Sequence, residues 1–267
     1  VERVLREMME LGLTATEFGP EGFLPVEPAD RAAALRASGL EAVGGFVPVV
    51  LHDPERDPLP ALRTELEAFV AAGAGVVVLS ADSGLSGYDE RVELDETGWS
   101  TLLTTLGRAR DAAAEVGVLA VLHPHVGTLV ESRSDVERVL EGTDVGLCLD
   151  SGHLLIGGTD PVELARDHAA RIRHVHLKDV HLPTAQRVRD GEITYYEAVQ
   201  QGLYRPLGQG DVDVRSLLQS LLGAGYDGWF VLEQDTVLQV LPADGEGPVA
   251  DAGASAAHLR SLAAELA

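Results

Sequence analysis

Four short stretches hold side chains suited to metal and proton chemistry. Asp150-Ser-Gly-His153 follows an apolar run, and Glu233 ends Trp-Phe-Val-Leu. His174-Val-His176-Leu-Lys178 places two imidazoles and an ammonium at alternate positions, and His123-Pro-His125 follows another apolar run. In extended chain, residues two apart share a face, so His174 and His176 project together and Lys178 continues that face. A lone carboxylate at the end of Val-Gly-Leu-Cys-Leu is costly, so Asp150 needs a partner, either a metal ion or a turn amide. The same argument holds for Glu233. Glu17, His52 and Asp82 stand at other strand ends, where capping a turn explains them as well as chemistry does. Imidazole and carboxylate without thiolate suit Mn²⁺, Co²⁺, Mg²⁺ or Zn²⁺. Among 20 basic residues only Lys178 is lysine. A single lysine in a chain of arginines implies a need for a compact ammonium, for example beside a carbonyl oxygen.

These residues need a scaffold that gathers strand ends. Apolar periodicity predicts helices over 28–38, 58–72, 98–115, 133–141, 213–224 and 254–266, after an opening helix that stops at Gly12. Strands are predicted over Leu13–Phe18, Ala42–Leu51, Gly75–Ser80, Gly117–Leu122, Val145–Leu149, Ile172–His176 and Trp229–Leu232. Another helix opens at Pro161. Residues 180–211 read mostly as loop, with Tyr195, Tyr196, Tyr204 and Arg205 placed to close over a site. Strand–helix alternation means a parallel sheet, and no Gly-rich phosphate fingerprint favours a doubly wound nucleotide fold. The expectation is an α/β fold, a (β/α)8 TIM barrel over residues 1–267 as one domain, with its first strand preceding Val1. In such barrels the active site lies at the carboxyl ends of the strands, where the residues above fall.

Composition narrows the function classes. The 267 residues carry 20 basic and 43 acidic side chains, a net charge of −23, and 45% are hydrophobic. That apolar share supports a full core, and the charge disfavours nucleic-acid and anionic-membrane partners. A single cysteine, Cys148, cannot make an internal disulfide or a thiolate cluster. No apolar run approaches the ~18 residues of a membrane span and no signal peptide opens the sequence, so a cytoplasmic enzyme is expected. A homo-oligomer is left open.

Gly-Leu-Cys-Leu-Asp150-Ser-Gly-His153, Arg171-Ile-Arg-His-Val-His176-Leu-Lys178-Asp179 and Gly-Tyr-Asp-Gly-Trp-Phe-Val-Leu-Glu233 resemble the xylose-isomerase-like sugar isomerase/epimerase barrels. Within that superfamily, Thr16-Glu17-Phe18-Gly19-Pro20 and His123-Pro-His125-Val-Gly-Thr128 with Glu131 are similar to inosose (2-keto-myo-inositol) dehydratases. So is Leu207-Gly-Gln-Gly-Asp-Val-Asp213. The resemblance implies a divalent metal, Mn²⁺ or Co²⁺ ahead of Mg²⁺ or Zn²⁺, held by Asp150, His176, Glu233 and Glu131, with His123 or His125 as alternatives to Glu131. It implies Lys178, His153, His125 and Glu17 as catalytic residues, His153 touching substrate oxygens. The expected reaction is dehydration of a polyhydroxy-ketone through an enediolate. Isomerisation, epimerisation and cleavage of a 3-keto-glycoside share its first half. A catalytically silent sugar-binding barrel would hold no metal.

Overall fold

The computed structural model describes residues 1–266. In chain order its elements are α1 (Glu2–Glu10), β1 (Ala15–Thr16), α2 (Pro28–Ala37), β2 (Glu41–Ala42), β3 (Gly44–Val49), α3 (Leu59–Ala72), β4 (Val76–Ala81), α4 (Glu96–Glu115) and β5 (Leu119–Leu122). They continue as α5 (Arg133–Gly142), β6 (Gly146–Asp150), α6 (Ser151–Ile156), α7 (Pro161–Asp167), β7 (Ile172–Leu177), β8 (Asp179–Val180), α8 (Leu182–Arg189), α9 (Tyr195–Gln200), β9 (Tyr204–Arg205), α10 (Val214–Gly223), β10 (Phe230–Leu232) and α11 (Pro248–Leu266).

The chain forms two compact units. One comprises Val1–Leu85, Val92–His123 and Glu137–Gly146; the other comprises Ser86–Arg91, Pro124–Val136 and the chain from Leu147 onward. In the first, β1 pairs with β2, and β3, β4 and β5 pair in parallel. Every residue of β4 is buried, as a continuous apolar run requires when helices cover both faces of a parallel sheet. Phe69 of α3 meets Phe18 edge to face, with ring centroids 5.0 Å apart. In the second unit β7 lies between β6 and β10, all parallel. Leu147, Cys148, Leu149 and Val175 are fully buried there.

All seven expected strands are present, the first shortened to β1 and the second split at Val43 into β2 and β3. The expected loop over 180–211 is corrected. It contains α8, α9 and a small antiparallel ladder of β8 with β9. Pro183 in the first turn opens α8, and α9 starts in a capping box in which Thr194 and Glu197 satisfy each other's backbone N–H groups. Helices of eight and six residues are too short for an apolar stripe to show in the sequence.

Asp179 anchors the stretch that follows. Its buried carboxylate accepts backbone N–H groups from Gly208 and Gly210 at 2.9 Å each and from Val212 at 3.0 Å. A Cβ at position 210 would lie 2.3 Å from Asp179 Oδ1, so only glycine allows this approach. Asp179→Ala strips the acceptor from these N–H groups, and charge-assisted bonds are worth about 1.5–3 kcal/mol each. The expected loss is about 3 kcal/mol of unfolding free energy by urea titration; an unchanged midpoint would refute the anchoring role.

Candidate metal centre

Strand register within the second unit builds the centre. Asp150, the last residue of β6, is the register partner of His176 on β7, and Val231 of β10 pairs with the same histidine from the other side. Glu233 lies just past the end of β10, its N–H bonded to the Leu177 carbonyl at 3.3 Å. One ligand atom from each of Asp150, His176 and Glu233 therefore falls within 4.8 Å of the others. Asp150 and His176 are buried and Glu233 is part-buried.

Asp150 divides its two oxygens. Oδ1 caps α6, accepting the N–H groups of Gly152 and His153 at 2.8 Å each. Those bonds fix the carboxylate plane and leave Oδ2 to face Lys178 Nζ at 3.0 Å, with His176 Nδ1 3.9 Å away. Turn amides and a cation thus both partner this carboxylate. Lys178 also contacts the carboxylates of Glu233 and Asp235, the latter at 3.3 Å. Its backbone is clamped by Ser151, whose hydroxyl donates to the Lys178 carbonyl at 2.6 Å and accepts the Lys178 N–H at 3.0 Å. A Cβ on Gly152 would come 2.7 Å from Lys178 Cβ, so α6 sits directly on this residue.

Burial alone would lower the Lys178 pKa, but the carboxylates of Asp150, Glu233 and Asp235 outweigh it and hold the ammonium well above the ordinary lysine value. Asp235 is pushed up by burial, with Lys178 opposing. Three carboxylates against one ammonium leave two negative charges. Glu233 and Asp235 keep partial contact with solvent, but the excess faces the buried Asp150 and Lys178, where a further cation would offset it, and a carboxylate–imidazole donor set suits a divalent ion. The residues present fit such an ion.

Aromatic groups line the adjoining space. The His153 ring stacks on His125 with centroids 3.6 Å apart, and Tyr88 lies against His125 at 4.8 Å. Tyr204 Oη is 3.5 Å from His153 Nε2 and 2.8 Å from Tyr195 Oη. Burial raises both phenols above the usual tyrosine range, so both stay neutral hydroxyls. Tyr195, at the start of α9, also lines a cavity of about 570 Å³ with Tyr88, Arg91, Glu131 and Arg189. The tyrosines named from the sequence are divided by the structure: Tyr195 and Tyr204 are inside, whereas Tyr196 is exposed.

The profile of the xylose isomerase-like TIM barrel family matches residues 5–262. The chain belongs to this family. Inosose dehydratase from Geobacillus kaustophilus is 33% identical over 247 residues, covering 88% of this chain and 80% of that one. The rhizopine catabolism protein MocC of Rhizobium meliloti is 34% identical over 245 residues, covering 88% and 74%. Among solved structures, the IOLI protein with a bound zinc atom aligns with a TM-score of 0.70 at 16% identity, covering 100% of this chain and 92% of that one. That likeness shows the shared fold.

Within this xylose isomerase-like frame the expected residues separate. Asp150, His176, Glu233, Lys178, His153 and His125 all belong to the second unit. Glu131 does too, but it is not brought into the ligand group. Its carboxylate folds back to accept the Gly127 N–H at 2.8 Å, and burial raises its pKa against that bond and Arg91. The turn leaves no alternative at Gly127, which has φ +75° and lies so close to Tyr88 that a Cβ would sit 2.4 Å from its backbone. Glu17 follows β1 and His123 follows β5, both in the first unit, where His123 meets Phe46 edge to face at 5.9 Å. Asp235 and Ser151 were missed. The spacing Glu233-x-Asp235 was the available signal for the first, since it repeats the two-residue alternation that made His174 and His176 conspicuous. Nothing in the sequence distinguishes Ser151 from an ordinary helix-capping serine.

Proposed function

We propose that this protein is a divalent-metal-dependent dehydratase of keto-cyclitols such as 2-keto-myo-inositol, a carbon–oxygen lyase. The observation that carries the reading is the convergence of buried Asp150 and His176 with part-buried Glu233 beside the Lys178 ammonium. The 33% identical relative named inosose dehydratase supports the substrate class. Asp150, His176 and Glu233 would hold the ion, which when bound supplies charge that polarises a ketone. Lys178 adds a fixed positive charge where an enolate oxygen develops, and its clamp by Ser151 keeps that charge from reorganising. Tyr195 and Tyr204 supply neutral hydroxyls for a polyol and help exclude water.

The test uses protein loaded with Mn²⁺ or Co²⁺ and 2-keto-myo-inositol, following absorbance of the conjugated enol-dione and, in D₂O, exchange of the proton next to the carbonyl. Ion-dependent product that disappears in Asp150→Ala and His176→Ala is expected. Exchange without loss of water would make the protein an isomerase or epimerase instead. Ion binding with neither signal would remove the substrate class.

A further inference from the structure

One residue, Val126, contacts both stacked histidines, and it contacts them in opposite senses. His125 Nδ1 lies 2.7 Å from the Val126 carbonyl oxygen, which only accepts, so this nitrogen carries the proton. In neutral His125 the lone pair is therefore on Nε2. The Val126 N–H, which only donates, points at His153 Nδ1 at 3.4 Å. That nitrogen must hold the lone pair, so neutral His153 carries its proton on Nε2, toward Tyr204 Oη at 3.5 Å. Tyr204 can then donate onward to Tyr195, 2.8 Å away. The hydrogen bond at one ring nitrogen decides which tautomer the other presents. The ring centroids lie 3.6 Å apart with the planes tilted by 30°, and flipping either ring would break its own bond to Val126.

We propose that the Val126 peptide sorts the pair, making His125 the group that takes the proton from substrate carbon and His153 a neutral donor that does not. Which proton His125 takes rests on the dehydratase reading; the tautomers themselves do not. In that reaction the His125 Nε2 lone pair binds the proton on the carbon next to the ketone, and the C–H electron pair becomes the C=C bond of an enolate. As the ketone re-forms, that pair shifts toward the β-carbon and the β C–O bond breaks, its electrons leaving on oxygen. The proton on His125 departs with that oxygen as water, and both imidazoles return to their starting tautomers. His153 Nε2–H holds a hydrogen bond throughout and keeps its proton.

Glutamine separates the two roles, because an amide donates a hydrogen bond but does not take a proton. His125→Gln is expected to lose about a hundredfold in both deuterium exchange and water loss, the lower end of what a positioned base contributes. His153→Gln, which keeps a donor but alters its placement, is expected to lose about tenfold in both, less than His125→Gln. Long-range ¹H–¹⁵N spectra of the ion-free protein, assigned by the signal missing in each variant, should show His125 protonated at Nδ1 and His153 at Nε2. The reverse tautomers, or the reverse order of damage, would overturn the proposal. A wild type that neither exchanges nor dehydrates would sink the dehydratase reading alone, since the spectra would still decide the tautomers.

Discussion

Asp150→Asn should leave a folded protein that holds its ion far more weakly, with dehydration at limiting ion down about a hundredfold to ten-thousandfold. The argument turns on how the two carboxylate oxygens are used. Asparagine caps helices about as well as aspartate, so its oxygen takes over the bonds from the Gly152 and His153 N–H groups. With the oxygen committed there, the amide nitrogen points where Oδ2 was, toward Lys178 Nζ and His176. Two donors then face each other, and the donor set loses both a ligand atom and a charge. Removing one partner from a buried charge group costs about 3–5 kcal/mol, between two and four powers of ten in ion affinity.

Thermal unfolding with and without Mn²⁺ reads this independently of turnover. An ion that binds only the folded state stabilises it by about 2.7 kcal/mol at a hundredfold excess over Kd. Wild type should show the rise in Tm and Asp150→Asn should not, while its ion-free Tm stays within a few degrees of wild type. If the variant still gains stability from Mn²⁺, Asp150 is not a ligand. If it is grossly unstable without the ion, the cap has failed and the comparison moves to Glu233→Gln, which caps no helix.

The sequence was most legible where one rule governs many residues. Near-continuous apolar runs mark β4 and β6, because a strand buried on both faces can contain little else. Asp150, which ends β6, is conspicuous for the same reason, whereas His176 and Lys178 stand out by their alternation with His174. Glu131 as a ligand rests on the family resemblance, and motif spacing says nothing about the Gly127 turn that bends its carboxylate back onto the chain. The opposed bonds of Val126 to His125 and His153 were also out of reach, since backbone donors and acceptors look the same at every position. Asp235 is hidden for a simpler reason: β10 is only three residues long, too short for its alternation to extend visibly past Glu233.

Lys178→Met should divide ion affinity from catalysis in opposite directions. The Lys178 ammonium is buried against Asp150, Glu233 and Asp235, so in the ion-free protein it neutralises part of the charge an ion would meet. Methionine fills a similar volume without charge. The carboxylates then stand uncompensated, and a divalent ion should bind tighter, not weaker. Turnover should fall about a thousandfold, because a preorganised positive group aimed at a developing oxyanion commonly supplies two to three powers of ten. Arginine is not a conservative replacement: its planar fork does not reproduce a compact ammonium that meets the Asp150, Glu233 and Asp235 carboxylates together. The decisive measurement is calorimetric Mn²⁺ titration beside steady-state kinetics on the same preparation. Weaker binding together with lost turnover would mean that Lys178 merely holds the carboxylates in place. Tighter binding with unchanged turnover would remove it from the chemistry and leave its role to the charge balance of the three carboxylates.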